Sequence, residues 1–186
     1  ENKEEAGSDL EGMAADLAVV SDSEATDPNY QSNDYADLLI NDSANEIVES
    51  YHCFDKLYPA SITKVMTALL TLEHGNMDDE ITLKHDINLT EDGAVISTLT
   101  KGDTVTVGQV FHTMLIKSAN DCAVILAEYV AGSEAKFIDM MNERARELGA
   151  THTHFVNPNG LHNNDHYTTA YDLYLIFKEA VKHEEF

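Results

Sequence analysis

The chain has 186 residues, with 11 basic against 34 acidic side chains and a net charge of −23 at neutral pH. That balance excludes nucleic acid as a partner and argues against an anionic membrane surface, because like charges repel. No stretch approaches the ~18 consecutive apolar residues of a membrane span, and no basic segment leads into an apolar one as in a signal peptide.

Residues 1–34 carry ten acidic side chains and one lysine among Ser, Asp, Asn and Gly. Such a segment self-repels and buries little, so it is expected to be a flexible acidic tether before a domain spanning 35–186. The apolar patch 13–20 within it has the makings of a short helical turn. Residues 35–41 and 46–51 read as two strands joined by a turn at Asp42-Ser43-Ala44-Asn45. Pro59 suits a helix entry, and the apolar run 65–72 extends a helix from Ser61 to about His74, where Gly75-Asn76 stops it. Residues 77–104 are mixed and polar, with turn signals at Asp92-Gly93 and Lys101-Gly102-Asp103. Helical patterns follow at 107–117, 120–130 and 134–148, the last capped by Gly149. Residues 151–156 read as extended, 157–167 as a loop, and 168–183 as an amphipathic helix. A hairpin followed mainly by helices fits an α+β fold whose remaining strands come later.

Two positions in this layout suggest chemistry. In Ser61-Ile62-Thr63-Lys64, a helical start places hydroxyl and amine three residues apart on one face. Serine is a weak nucleophile at neutral pH, and a lysine lowered in pKa by burial can serve as its base. The tetrapeptide alone equally describes a capped helix with a surface lysine. Ser118-Ala119-Asn120 lies between two apolar helical patterns, where a hydroxyl and a carboxamide need buried partners. Its plainer reading is a helix N-cap.

The surrounding residues favour the chemical reading. Tyr58-Pro59-Ala60-Ser61-Ile62-Thr63-Lys64-Val65-Met66-Thr67-Ala68-Leu69 resembles the nucleophile segment of the D-alanyl-D-alanine carboxypeptidases, the low-molecular-mass penicillin-binding proteins. Met114-Leu115-Ile116-Lys117-Ser118-Ala119-Asn120-Asp121-Cys122-Ala123 is similar to that family's second motif. Residues 153–161 and 166–173 resemble its active-site loop and the helix after it. The resemblance runs from about Tyr35 to the end, with the motifs in family order. The Lys-Thr-Gly triplet that completes the set occurs nowhere in these residues.

The resemblance implies a β-lactamase/transpeptidase-like α+β domain, a helical subdomain with an antiparallel sheet, lacking its later strands and C-terminal helix. It implies acyl transfer with Ser61 as nucleophile, Lys64 as base, Ser118 as proton relay, and Asn120 orienting Lys64 and binding substrate. The implied substrates are peptidoglycan stem peptides ending in D-Ala-D-Ala, with β-lactam antibiotics as covalent inhibitors. It implies an exported protein of the bacterial cell envelope, with any signal peptide or membrane anchor encoded outside this chain. The second oxyanion donor and the cationic site for the substrate carboxylate belong to the absent strand, so these residues alone are expected to be nearly inert.

Two alternatives remain at this point. A class A-like β-lactamase needs a Glu-bearing loop after the second motif, and residues 151–167 contain no Glu. A non-catalytic wall-peptide-binding relative would keep the fold without needing all four polar residues. The pairs His152/His154 and His162/His166 have zinc-like spacing, but a polar His-rich loop has it by chance, and no metal or cofactor is assigned. The loop departs from a common family form in holding Asn159 before Gly160-Leu161 and His162 after them, which leaves its role open. Cys53 and Cys122 are too few for a disulfide framework; a bond between them is possible in an exported protein, and Cys122 reads most simply as a buried thiol.

Overall fold

A computed structural model describes residues 35–89 and 93–186. The expected tether therefore lies outside the described residues, as does Asp92 of the expected turn. The described residues divide into two compact units, one ending at Asp55 and one beginning at Lys56.

In the first unit, β1 (Asp37–Asn41) and β2 (Glu46–Tyr51) form the expected antiparallel hairpin. Asn45 takes a left-handed conformation in the turn (φ 50°), a role asparagine fills more readily than most residues. The register shifts between Leu39 and Ile40.

The second unit is built on five helices. A 3₁₀ turn at Ala60–Thr63 leads into α1 (Lys64–His74), whose residues 64–71 are all buried. A short two-stranded ribbon, β3 (Glu80–Thr82) and β4 (Thr104–Thr106), precedes α2 (Val107–Lys117). Thr106 and Gln109 close the α2 N-terminus reciprocally: Gln109 N–H donates to Thr106 Oγ1 and Thr106 N–H to Gln109 Oε1. Next come α3 (Asn120–Ala131), α4 (Glu134–Glu147) and α5 (Ala170–Ala180). Helix α3 is buried over residues 120–127, which explains its continuous apolar run: it has no solvent face to pattern. Helix α1 packs on α2, α3, α4 and α5. Ala68 from α1, Phe111 and Met114 from α2, and Cys122 and Leu126 from α3 share one core.

Three expectations change. Gly75 ends α1 in extended backbone (φ −110°), not the left-handed cap a glycine stop suggests. A Cβ there would lie 2.8 Å from both Thr71 O and the Tyr129 ring, so glycine answers a close approach. Residues 151–156, read as extended throughout, begin in a turn at Thr151 and His152, and His154 makes a single bridge to Tyr167. The last helix starts at Ala170 because Thr168 pairs with Leu57 and the Thr169 side chain caps the helix through Asp172 N–H.

Two buried carboxylates hold loops against helix starts. Asp121, in the first turn of α3, accepts from Ser97 N–H and Ser97 Oγ; Asp172, in the first turn of α5, accepts from His152 N–H and Thr153 Oγ1. The helix dipole favours an anion at both places. Cys53 and Cys122 are thiols, not a disulfide, and burial pushes the Cys122 thiol up to about 12.

Candidate active site

Pro59 and the 3₁₀ turn deliver Ser61 to the surface one residue after Ala60, which adopts φ 47°. A left-handed alanine costs on the order of 1 kcal/mol, so strain sits directly against the serine. Lys64 opens α1 and is only 3 % exposed. At the other wall, α2 ends at Lys117, Ser118 turns left-handed (φ 56°), and α3 begins with Ala119 as its extended N-cap. The chain thus reverses in two residues. Neither Ser118 nor Asn120 caps α3, which corrects the capping alternative and leaves both side chains for other partners.

Those partners are one another. Lys64 Nζ donates to Ser61 Oγ at 3.1 Å, to Asn120 Oδ1 at 2.9 Å and to the Asn159 carbonyl at 2.7 Å. Ser118 Oγ donates to Ser61 Oγ at 2.9 Å. The carboxamide of Asn120 is fixed at both ends, since its Nδ2 donates to Val95 O at 3.0 Å. The four residues singled out in the sequence therefore meet around one serine oxygen. Ser61, Lys64 and Ser118 open onto a depression of ≈ 330 Å³ walled by apolar groups including Ile62, Met114 and Phe177, with Asn120 behind Lys64.

Three hydrogen-bond partners saturate an ammonium, yet all three are neutral oxygens. In a chain of charge −23, that lack of a carboxylate is the decisive electrostatic feature. Burial without a counter-charge lowers the Lys64 pKa to about 8. Near neutrality a useful fraction is therefore the free amine. That amine has two hydrogens and one lone pair. Asn120 Oδ1 and Asn159 O take the hydrogens, and the lone pair is left facing Ser61.

The site has a third wall that the four motif residues did not reveal. The loop 157–161 lies against α1: Thr67 Oγ1 donates to Pro158 O at 2.6 Å, three residues along from the Lys64–Asn159 contact. A buried histidine ties the same loop region to the 3₁₀ turn. Val156 N–H donates to His166 Nδ1, so the ring proton sits on Nε2 and is donated to Thr63 Oγ1 at 2.7 Å. Burial, and then the charge of nearby His154, lower the His166 pKa to about 4, keeping the ring neutral. His154 turns its Nδ1–H to Asp165 O. The sequence signal for this wall was the pair of buried threonines, Thr63 and Thr67, in an otherwise apolar helix start; each needed a polar partner from elsewhere.

The family model for D-alanyl-D-alanine carboxypeptidases, Peptidase_S11, matches residues 21–186. The chain belongs to that family. It is 35 % identical over 153 residues to the D-alanyl-D-alanine carboxypeptidase DacF of Bacillus subtilis, an alignment covering 79 % of this chain and 39 % of that protein. Among solved structures it superposes on the D-alanyl-D-alanine carboxypeptidase DacD from Francisella tularensis with a TM-score of 0.78, 28 % identity, and coverage of 90 % of this chain and 42 % of that one. Penicillin-binding protein D2 from Listeria monocytogenes, solved in its cefotaxime-bound form, gives a TM-score of 0.73 at 27 % identity over 84 % of this chain and 65 % of that one. The fold shared with these structures is the α+β one expected from the sequence. The chain spans about two fifths of the length of the curated relatives it matches. No helix among the described residues is long and apolar enough to cross a membrane.

Proposed function

We propose that the protein is a serine-type D,D-carboxypeptidase that removes the terminal D-alanine from peptidoglycan stem peptides. The observation that carries this reading is the neutral, three-oxygen cage around Lys64, one hydrogen bond from the Ser61 hydroxyl. Ser61 Oγ attacks the carbonyl carbon of the D-Ala-D-Ala bond while its proton passes to the Lys64 amine. The backbone N–H of Ser61, at the start of the helical turn, stabilises the oxyanion with the help of the helix dipole. As the tetrahedral intermediate collapses, the C–N bond breaks and Ser118 gives its proton to the departing D-alanine nitrogen. The Lys64 ammonium then restores the Ser118 proton. Water hydrolyses the ester by the reverse path, with Lys64 again the base. Asn120 holds the lysine through Oδ1, and the one Nδ2 hydrogen not donated to Val95 O is offered to the substrate backbone. A second oxyanion donor and a cation for the terminal carboxylate are assigned to no residue of this chain. A D-Ala-D-Ala substrate places the enzyme outside the cytoplasmic membrane, and a β-lactam, as a mimic of that dipeptide, acylates the same serine.

Incubation of the full-length protein with penicillin and intact-mass spectrometry test the proposal. The expected product is a stable adduct of one intact penicillin on Ser61, with D-alanine released from a pentapeptide substrate. Rapid penicillin turnover without a stable adduct would instead indicate a β-lactamase, and no reaction at all a non-catalytic peptide binder.

A further inference from the structure

We propose that Asn157 is a positioning residue for Lys64, acting through the main-chain carbonyl of Asn159. The inference rests on the peptidase reading above for its kinetic consequence, though not for its geometry. Asn157 folds the loop around its own carboxamide. Its Oδ1 accepts from Gly160 N–H at 2.7 Å and from Asn159 N–H at 3.3 Å, while its Nδ2 donates to Leu161 O at 2.9 Å. With those amides drawn to Asn157, the two carbonyls between them are presented to α1. Pro158 O meets Thr67 and Asn159 O meets Lys64, residues three apart on one helix face.

The other side of the loop seats on the nucleophile turn. Gly160 has φ 87°, and a Cβ there would fall 1.8 Å from Ala60 O. The loop therefore contacts the residue before Ser61 through Gly160 and the residue three after it through Asn159. The Asn159 side chain is spent elsewhere, its Oδ1 accepting from Leu161 N–H at 3.1 Å. Position 159 thus contributes a carbonyl, which any residue supplies, and this removes the significance of its departure from the common family form. Position 157 contributes a side chain with one acceptor and one donor edge, both in use.

The chemical consequence concerns the free amine. Asn120 Oδ1 alone fixes one N–H and lets the amine rotate about that bond. Asn159 O fixes the second, and only then is the lone pair aimed at the Ser61 proton. A misplacement of about 1 Å in such a contact costs on the order of 10²-fold in rate. The other titratable group held against this turn, His166 through Thr63, titrates near pH 4 and is silent in the range where Lys64 changes charge.

The test compares wild type, Asn157→Ala and Asn157→Asp in the full-length protein. Two quantities are measured across pH 6–10: the penicillin acylation rate constant, resolved from the preceding binding constant, and the Lys64 titration by ¹³Cε NMR. Asn157→Ala should lower the acylation rate constant by about 10–100-fold while binding changes by less than about threefold. Asn157→Asp keeps an acceptor for the loop amides and places a negative charge on Asn159 N–H, in the residue whose carbonyl holds the amine. It should move the Lys64 titration, and the acidic limb of the rate profile, upward by about one pH unit. Acylation per folded molecule at the wild-type rate in the alanine variant, with an unmoved Lys64 titration in the aspartate variant, overturns the proposal and leaves Asn157 a purely structural residue. Should the alanine variant fail to fold, the aspartate titration decides alone. Should wild type form no adduct, the function proposed above fails, and the NMR shift still tests the positioning.

Discussion

Helix α1 meets a cation near each end, Lys64 buried and Arg144 half-buried. At its start Lys64 lies among three neutral oxygens, and burial draws its pKa down to about 8. Near its end Glu73 accepts from Arg144 Nε and Nη2, the shortest contact being 2.6 Å, and Glu147 and Glu179 attend the same guanidinium. Burial alone would lower the Arg144 pKa, but the hydrogen bond and charge of Glu73 reverse it to a net rise. The two ends show that burial does not decide what a cation does. Carboxylate partners lock the proton on; amide and carbonyl partners hold the group in place and leave the proton exchangeable. In so acidic a chain, a lysine buried to 3 % exposure among neutral oxygens is the cation to explain.

The comparison is broken most severely at Lys64 and Ser61. Ser61→Ala removes the atom that would be acylated, so covalent penicillin labelling should vanish. Lys64→Met keeps much of the buried bulk without a base, and acylation should fall by about 10³–10⁴-fold, at the upper range for loss of a general base. Stopped-flow or gel-based labelling measures both. Labelling at an undiminished rate in Lys64→Met would make the cage a packing feature only.

Asn120→Asp tests the same contrast by giving Lys64 what Arg144 has. The carboxylate should raise the lysine pKa by about 1–3 units. With the free amine as the base of the proposed mechanism, wild-type acylation should rise with pH and level off above about 8. In the variant the rise should move to higher pH, with a rate at pH 7 lower by about 10–100-fold and partial recovery toward pH 10. A flat rate between pH 6 and 10 in wild type would remove Lys64 from the proton transfer.

Much of this was legible because it is local. The β1–β2 hairpin, the span of α2 and the starts of α3 and α4 follow from apolar period and from the turn at Asp42-Ser43-Ala44-Asn45, and Gly149 marks the end of α4. Ser61 and Lys64 were legible because three residues of helix fix their separation whatever the rest does. The loop wall was legible through the resemblance of residues 153–161 to an active-site loop, but its contact with Lys64 was not. Its contribution to Lys64 is the carbonyl of Asn159, and a carbonyl carries no residue identity. The start of α5 was placed two residues early for a related reason: Thr168 looks helical by composition, but its backbone pairs with Leu57, far away in sequence. The same applies to His166. Its spacing from His162 gave no reason to expect a structural tie, yet its ring lies between Thr63 Oγ1 and Val156 N–H.

His166 sharpens the comparison in the acid direction. Its folded pKa, about 4, lies below the ordinary 6.5. Between these values the unfolded chain binds more protons than the folded one, so stability rises with pH through this window and is lost as pH falls through it. The full shift corresponds to about 3 kcal/mol. Urea denaturation of wild type and His166→Gln at pH 4 and pH 7 measures it. Wild type should lose about 2–3 kcal/mol more than the variant on acidification; equal losses would show that another group carries the acid sensitivity.

The smallest effect is expected at Glu73 and Arg144. Their side chains are 18 % and 23 % exposed, so solvent screens part of the attraction, while desolvation offsets more of it. A double-mutant cycle with Glu73→Gln and Arg144→Met should return a coupling of about 1 kcal/mol in urea unfolding. Each single variant should acylate penicillin within about twofold of wild type, because neither residue contacts the Lys64 cage. The cycle discriminates for a physical reason. If charge locking at the far end of α1 stabilises the helix and nothing more, stability changes and chemistry does not. If the acylation rate instead followed the Glu73 charge, the two ends would be electrostatically linked along the helix, and the low pKa of Lys64 could no longer be ascribed to its own neutral cage.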